Sequence, residues 1–338
     1  MPTTYAIPDG RTVMAATLWT GNGTSQAINN AVNGVSFQPD MAWVKDRSSA
    51  RSHVLIDAVR GTGLTLFPNE TTAEQSNTDR ITSFNSNGFS VGAGLGTNAS
   101  TETYVGWQWN GGGSTVTNTS GSISAQVRAN TTAGFSVVTF TGTGSAATVG
   151  HGLGVAPQMV IAKTRNGVND WFVYTQARGA TKTLYLNLTN AEGTTSAVWN
   201  NTAPTSTVFT VGTTFSTNTC VAYCFAAVAG YSAFGSYTGN GSADGPFVYL
   251  GFRPRFIMFK RTDSTGSWFM EDSSRGTYNV MGPELYANNS DVETTVSRLD
   301  FLSNGFKMRA ANAGDNANGG TYIYMAFCEN PFKFSNAR

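Results

Sequence analysis

The chain is 338 residues long, carries 21 Lys+Arg against 20 Asp+Glu for a formal net charge of +1, and is 40% hydrophobic and 12% aromatic. At about 150 residues per domain that length predicts two or three domains. The near-zero charge disfavours a protein that tracks nucleic-acid phosphates or an anionic membrane, and the aromatic share excludes intrinsic disorder.

Ser, Thr and Asn supply about a third of the chain and Gly another 38 residues, a mixture that suits strand faces and tight turns better than long helices. The longest uncharged apolar run, Cys220 to Ala229, is half of the ~20 residues a membrane-spanning helix needs. The N-terminus does not read as a secretory signal. Cys220, Cys224 and Cys328 form an odd, sparse set that fits synthesis in a reducing cytosol.

Residues 1–12 read as an arm that Pro2 and Pro8 keep extended, a segment able to dock on another protein. The same ordered signals then recur three times. In the first copy, 13–110, a glycine turn Trp19-Thr-Gly-Asn-Gly23 precedes Pro39-Asp-Met-Ala-Trp-Val-Lys45. A ring, His53, follows that proline by fourteen residues and Arg60-Gly by twenty-one. Phe84-Asn-Ser-Asn-Gly-Phe89 marks a hairpin, and the copy ends on Tyr104-Val-Gly-Trp-Gln-Trp109.

Residues 111–133 read as a Gly/Ser/Thr linker, with Ser122 to Arg128 alternating like a strand. The second copy, 134–229, repeats the signals without a gap: Phe140-Thr-Gly-Thr-Gly144, Pro157 to Lys163, Trp171, Arg178, and Cys220-Val-Ala-Tyr-Cys-Phe225. The third, 230–330, follows with almost no spacer: Tyr237-Thr-Gly-Asn-Gly241, Pro254 to Lys260, Trp268, Arg275, the hairpin Phe301 to Phe306, and Tyr322-Ile-Tyr-Met-Ala-Phe327. Residues 331–338 remain as a tail. Short strands at 8–12-residue spacing within units of about 100 residues predict an all-β protein of three tandem antiparallel β-sandwich-like repeat modules.

The phrases Thr148-Val-Gly-His-Gly-Leu-Gly-Val-Ala-Pro157, Tyr237 to Tyr249, Thr321 to Phe327 and Asn330-Pro-Phe-Lys333 resemble repeat-built virion proteins of tailed bacteriophages, of the type found among phages of marine and photosynthetic bacteria. The resemblance runs from about Thr12 to the C-terminus. It implies a structural, tail-fibre type of protein, made in the host cytoplasm and built into the virion, and it brings no catalytic residue with it.

The chemistry readable from the residues agrees with a protein without catalysis. His53 occupies the ring position of the repeat and reads as packing, and His151 sits in a glycine loop without a nucleophile elbow. Glu271-Asp272 and Glu70 with Glu74 are the nearest approach to a glycosidase pair. Neighbours on a strand point to opposite faces, and Asp57 and Asp272 become Thr175 in the second copy. Cys220-x-x-x-Cys224 lacks a second pair of zinc ligands. Asp315-Asn-Ala-Asn-Gly-Gly320 is a poor calcium loop with Ala317 at its third position. No metal or cofactor is expected.

The recurring Arg60, Arg178 and Arg275 are expected to stack on their own copy's ring or cap turn carbonyls, and most tryptophans to lie in cores. The segments after the lysines, Asp46 to Ser52, Thr164 to Asp170 and Arg261 to Ser267, differ between copies although their flanks align, and Ala310 to Gly320 is a further place for a receptor contact. Variable loops on a fixed scaffold are where binding specificity changes, which makes Arg165, Asp170, Asp263 and Asp315 the candidate contacts.

The expected role is host adhesion by a receptor-binding component that forms a homo-oligomer, a trimer by analogy with phage fibres. Its partners are other virion proteins and a host surface glycan or receptor, with no nucleic acid and no membrane insertion. Capsid decoration or a head fibre, and a lectin-like carbohydrate-binding module, are the alternatives.

Overall fold

The computed structural model describes residues 4–331, so the tail beyond 331 lies outside the described residues. The protein is all-β. Three antiparallel sheets share one strand order. In unit 1 it is Met14–Thr20, Thr103–Trp109, Met41–Asp46, Val54–Asp57; in unit 2, Phe135–Thr141, Thr219–Phe225, Met159–Thr164, Phe172–Thr175, Lys182–Tyr185. In unit 3 it is Ser232–Thr238, Thr321–Pro331, Phe252–Arg261, Trp268–Asp272, Met281–Tyr286. Each unit's last strand therefore sits between its first strand and the strand that its proline opens.

These central strands are buried on both faces, which explains their near-continuous apolar composition. Alternation divides the faces between two cores. Val105, Trp107 and Trp109 enter a core shared by all three units, as do Val221, Tyr223 and Phe225. Tyr104 faces unit 1's own second layer, and Cys220, Ala222 and Cys224 face unit 2's. That layer is the strand set Gln26–Asn29, Gly88–Val91, Ile81–Asn85 in unit 1 and the pair Ala147–Gly150, Val208–Val211 in unit 2. In unit 3 it is Phe247–Tyr249, Gly305–Met308, Thr294–Leu302, joined to the main sheet through Met281–Tyr286.

The units are thus not beads on a string. Trp109, Phe225 and Phe327, which occupy one repeat position, form a triangle with ring-centroid separations of 6.3, 5.7 and 6.0 Å. Offset and edge contacts of this kind add to the area the rings bury. The void at this centre is only about 10 Å³ and is lined by apolar side chains from all three units.

The glycine turns are explained by close approach. A Cβ on Gly21, Gly142 or Gly239 would lie 2.0, 2.0 or 2.2 Å from the carbonyl oxygen of Ala99, Ser216 or Ala317. Those carbonyls belong to short helical turns that no periodicity in the sequence announces: Leu95–Asn98 in unit 1, the 3-10 turn Thr213–Phe215 in unit 2 and Ala313–Asn316 in unit 3. Asn98 Nδ2 donates to Asn22 Oδ1 and to the Gly92 carbonyl. Asn316 Nδ2 likewise serves Asn240 Oδ1 and the Ser242 and Ala310 carbonyls. One buried amide pins the turn in units 1 and 3.

The segment 111–133 is not loose chain throughout. Val116–Asn118 and Ala125–Asn130 form a hairpin that continues unit 2's sheet beside Phe135–Thr141. The described part of the N-terminal arm packs on its own chain: Ile7 is buried in the shared core, and a Cβ on Gly10 would meet the Cys328 carbonyl at 2.2 Å. No helix among the described residues is long and apolar enough to cross a membrane.

Candidate functional site

The recurring side chains close the three units into a ring. Trp171 Nε1 of unit 2 donates to the Phe67 carbonyl of unit 1 at 2.9 Å, and Trp268 Nε1 of unit 3 donates to the Tyr185 carbonyl of unit 2 at 2.8 Å. At the third junction His53 takes the tryptophan's part. Its Nδ1 accepts from Trp43 Nε1 at 2.8 Å, which leaves the proton on Nε2, 3.0 Å from the Tyr286 carbonyl of unit 3. Burial depresses the His53 pKa to about 3, so the ring is neutral and acts as the indole N–H does. The packing role expected for this position is present, but it faces the neighbouring unit.

Two of the three lysines that close the apolar runs serve the same junctions, while Lys45 donates within its own unit to the Asp46 carbonyl. Lys163 Nζ donates to the Thr71 carbonyl of unit 1 at 3.0 Å, and Lys260 Nζ to the Thr189 carbonyl of unit 2 at 3.1 Å. Burial lowers the pKa of Lys45, Lys163 and Lys260 to about 8. Backbone bonds follow the same cycle, from Glu74 N to Arg165 O, Glu192 N to Thr262 O and Glu293 N to Arg47 O.

The arginines bind carboxylates as well as turn carbonyls. Arg60 Nε lies 2.5 Å from Asp57 Oδ2 and its Nη1 2.8 Å from Glu74, while Arg275 repeats the pattern with Asp272 and Glu293. In unit 2, where Thr175 replaces the aspartate, Arg178 turns to Glu192 at 2.6 Å. Arg60 also donates to the Leu55 and Leu64 carbonyls. The aromatic partner of Arg275 is Trp107 of unit 1, 5.5 Å away, not a ring of its own copy.

This circuit accounts for the variable segments after the lysines. Arg47 pairs with Glu293 of unit 3, Arg165 with Glu74 of unit 1, and Gly266 N donates to the Thr189 carbonyl of unit 2. The loop bases therefore clamp neighbouring units. Their sequences differ because each answers a different neighbour.

Of the four candidate contacts, Asp315 is fully buried and bound by Arg298, so it cannot meet a partner on the surface. Asp170 is half-buried and accepts from Asn187 Nδ2 at 2.8 Å. Asp263 is exposed but held by Arg261 and by the Thr321 backbone. Hydrogen bonds from Arg261 keep its pKa below the usual carboxylate value. No hydrogen bond or ion pair joins any two of the four among the described residues. His151 is a turn residue, its Nε2 3.1 Å from the Thr205 carbonyl and its Nδ1 accepting from Leu153 N. Tryptophan offers no open platform: Trp19 is half-buried and the other six are buried.

Arg165 lines an open depression. The depression, of about 200 Å³, lies on the face that the added hairpin shares with the sheet of unit 2. Gln126 stands opposite Thr139 across one strand pair and Thr141 opposite Thr219 across the next; Ser124 and Arg165 complete the polar lining, while the Phe140 side chain points away into unit 2's own core. Arg165 gives Nε and Nη2 to Glu74 at 3.0 and 2.7 Å, and its Nη1 has no protein partner among the described residues. Burial raises the Glu74 pKa, but the hydrogen bonds from Arg165 and Arg60 outweigh it and leave the group below its ordinary value. Asp57, Arg60, Glu74 and Arg165 form a charge-balanced chain, so the depression offers donors and acceptors without a net charge. The sequence held one sign of this site: the strand-like alternation of Ser122 to Arg128, which no other copy has.

These features define an all-β protein in which three like-ordered antiparallel sheets close on one apolar core, with a polar depression on the sheet of the second unit. Residues 10–331 match the family model described as Domain of unknown function (DUF7483), and the chain belongs to that family. No curated protein matches the sequence.

Proposed function

We propose that the chain is a non-catalytic structural component of a tailed-phage virion, a tail-fibre or receptor-binding protein that serves host adhesion. The observation that carries the reading is the resemblance of the motifs Thr148 to Pro157 and Tyr237 to Tyr249 to repeat-built virion proteins. The ring geometry supports it. Buried His53, Lys163, Lys260, Asp57 and Asp272 bond across junctions between units, and the glycine turns are closely packed, as suits a particle that must survive outside a cell.

Adhesion gains from repeated weak contacts, so the proposal includes a homo-oligomer, a trimer of these rings, attached to other virion proteins. A monomer by light scattering on assembled material would count against that part. Capsid decoration is a second reading, favoured by the threefold-like closure of the units, which matches the symmetry of shell positions. Immunogold electron microscopy of intact particles with an antibody to this chain separates the two. Label at the tail tip or lateral fibres is expected for adhesion, and label over the head transfers the protein to the shell.

A further inference from the structure

We infer that the depression of unit 2 binds one neutral sugar residue, the terminal or branch unit of a surface glycan. The inference deepens the adhesion reading and rests on it for the source of the glycan.

Size is the first argument. About 200 Å³ is below the roughly 300–1,000 Å³ of sites for drug-sized ligands and leaves room for a single pyranose ring. Chemistry is the second. The wall carries the hydroxyls of Ser124, Thr139, Thr141 and Thr219 and the amide of Gln126. Each hydroxyl both donates and accepts, and the amide does the same through separate atoms. Such a lining matches the vicinal hydroxyls of a sugar, which also donate and accept.

Charge decides against an anionic ligand. Arg165 is the only cation in the wall, and Glu74 already holds two of its donors. A carboxylate or phosphate would have to compete with that bidentate pair. A neutral hydroxyl needs only the remaining Nη1. Placement is the last argument. Among the described residues the first strand of units 1 and 3 has no strand beyond it, whereas in unit 2 the hairpin Val116–Asn118, Ala125–Asn130 widens the sheet with the strand that bears Gln126. The depression is an addition to the shared scaffold, as a specificity element is.

The test uses the full chain and saturation-transfer NMR with methyl glucoside, methyl galactoside, N-acetylglucosamine and N-acetylneuraminic acid as separate probes. At least one neutral probe should show transfer with a dissociation constant on the order of 1 mM, the weak range expected of a ligand with few atoms and few apolar contacts. Gln126→Trp, at an exposed position, should fill the depression and weaken binding at least ten-fold with far-UV circular dichroism and melting temperature unchanged. Thr139→Val should weaken it by removing a hydroxyl without filling space. Transfer to none of the neutral probes, transfer to the acidic sugar alone, or equal binding by both variants would overturn the inference. Particle labelling does not depend on this result, so failure of the sugar site and failure of the adhesion reading are separable.

Discussion

Trp107 Nε1 of unit 1 donates to Asp272 Oδ2 of unit 3 at 3.0 Å, across a junction buried on both sides. The same repeat positions at the next junction hold Tyr223 and Asp57, whose hydroxyl and carboxylate meet at 2.8 Å. At the third, they hold Met325 and Thr175. Donor and acid are present together or absent together. A buried carboxylate deprived of its donor pays its desolvation cost uncompensated, so the missing aspartate of the second copy is the counterpart of a missing donor.

Thr175→Asp alone should therefore lose about 2–3 kcal/mol of stability. Adding Met325→Tyr should recover at least ~1 kcal/mol as a favourable coupling in a double-mutant cycle, measured by urea denaturation. Zero coupling would mean that the two positions vary independently.

The aromatic triangle should be the most sensitive point of the core. Trp109→Ala is expected to cost about 3–5 kcal/mol, and because Phe225 and Phe327 of the other units lose their contacts with it, all three should melt together. Calorimetry should show one transition in the wild type, with the calorimetric and van't Hoff enthalpies equal. Separate transitions for the units would contradict a shared core.

Acid should act through His53. Its folded pKa of about 3 lies below the ordinary 6.5, so the unfolded chain takes the proton first. Stability from this group is complete above pH 6.5 and falls toward pH 3, by at most about 1.4 kcal/mol per pH unit. The melting temperature of His53→Gln should fall less steeply over that window than that of the wild type.

Alkali should act in the opposite sense through Glu271. It is buried without a hydrogen-bond partner among the described residues, and burial raises its pKa from 4.5 to about 8. The folded protein holds this proton more tightly than the unfolded chain does, so the contribution is complete below pH 4.5 and lost as pH rises through 8. Glu271→Gln should gain in melting temperature relative to wild type between pH 5 and pH 8. A constant difference would place the proton elsewhere.

The strand class and the order of signals were legible because proline, glycine and the β-rich runs act locally. What stayed hidden was which face met what. His53, Trp171 and Trp268 read as core rings, yet each sends its N–H to another unit, because a sequence distinguishes apolar from polar but not one's own core from a neighbour's. The one-residue offsets that divide Trp107 from Gln108 between faces were visible as alternation, but both faces are buried. Asp315 looked like a loop residue because its helical turn is four residues long, too short for a period to show. Arg165 was singled out for a variable loop, and its location beside a depression depends on a hairpin 40 residues away in sequence.

Competition for adsorption tests the functional account most directly. The purified chain, added to host cells before particles that carry it, should slow particle adsorption in a concentration-dependent way, and Gln126→Trp should do so less effectively. Adsorption at an unchanged rate under saturating chain would contradict a role in host adhesion.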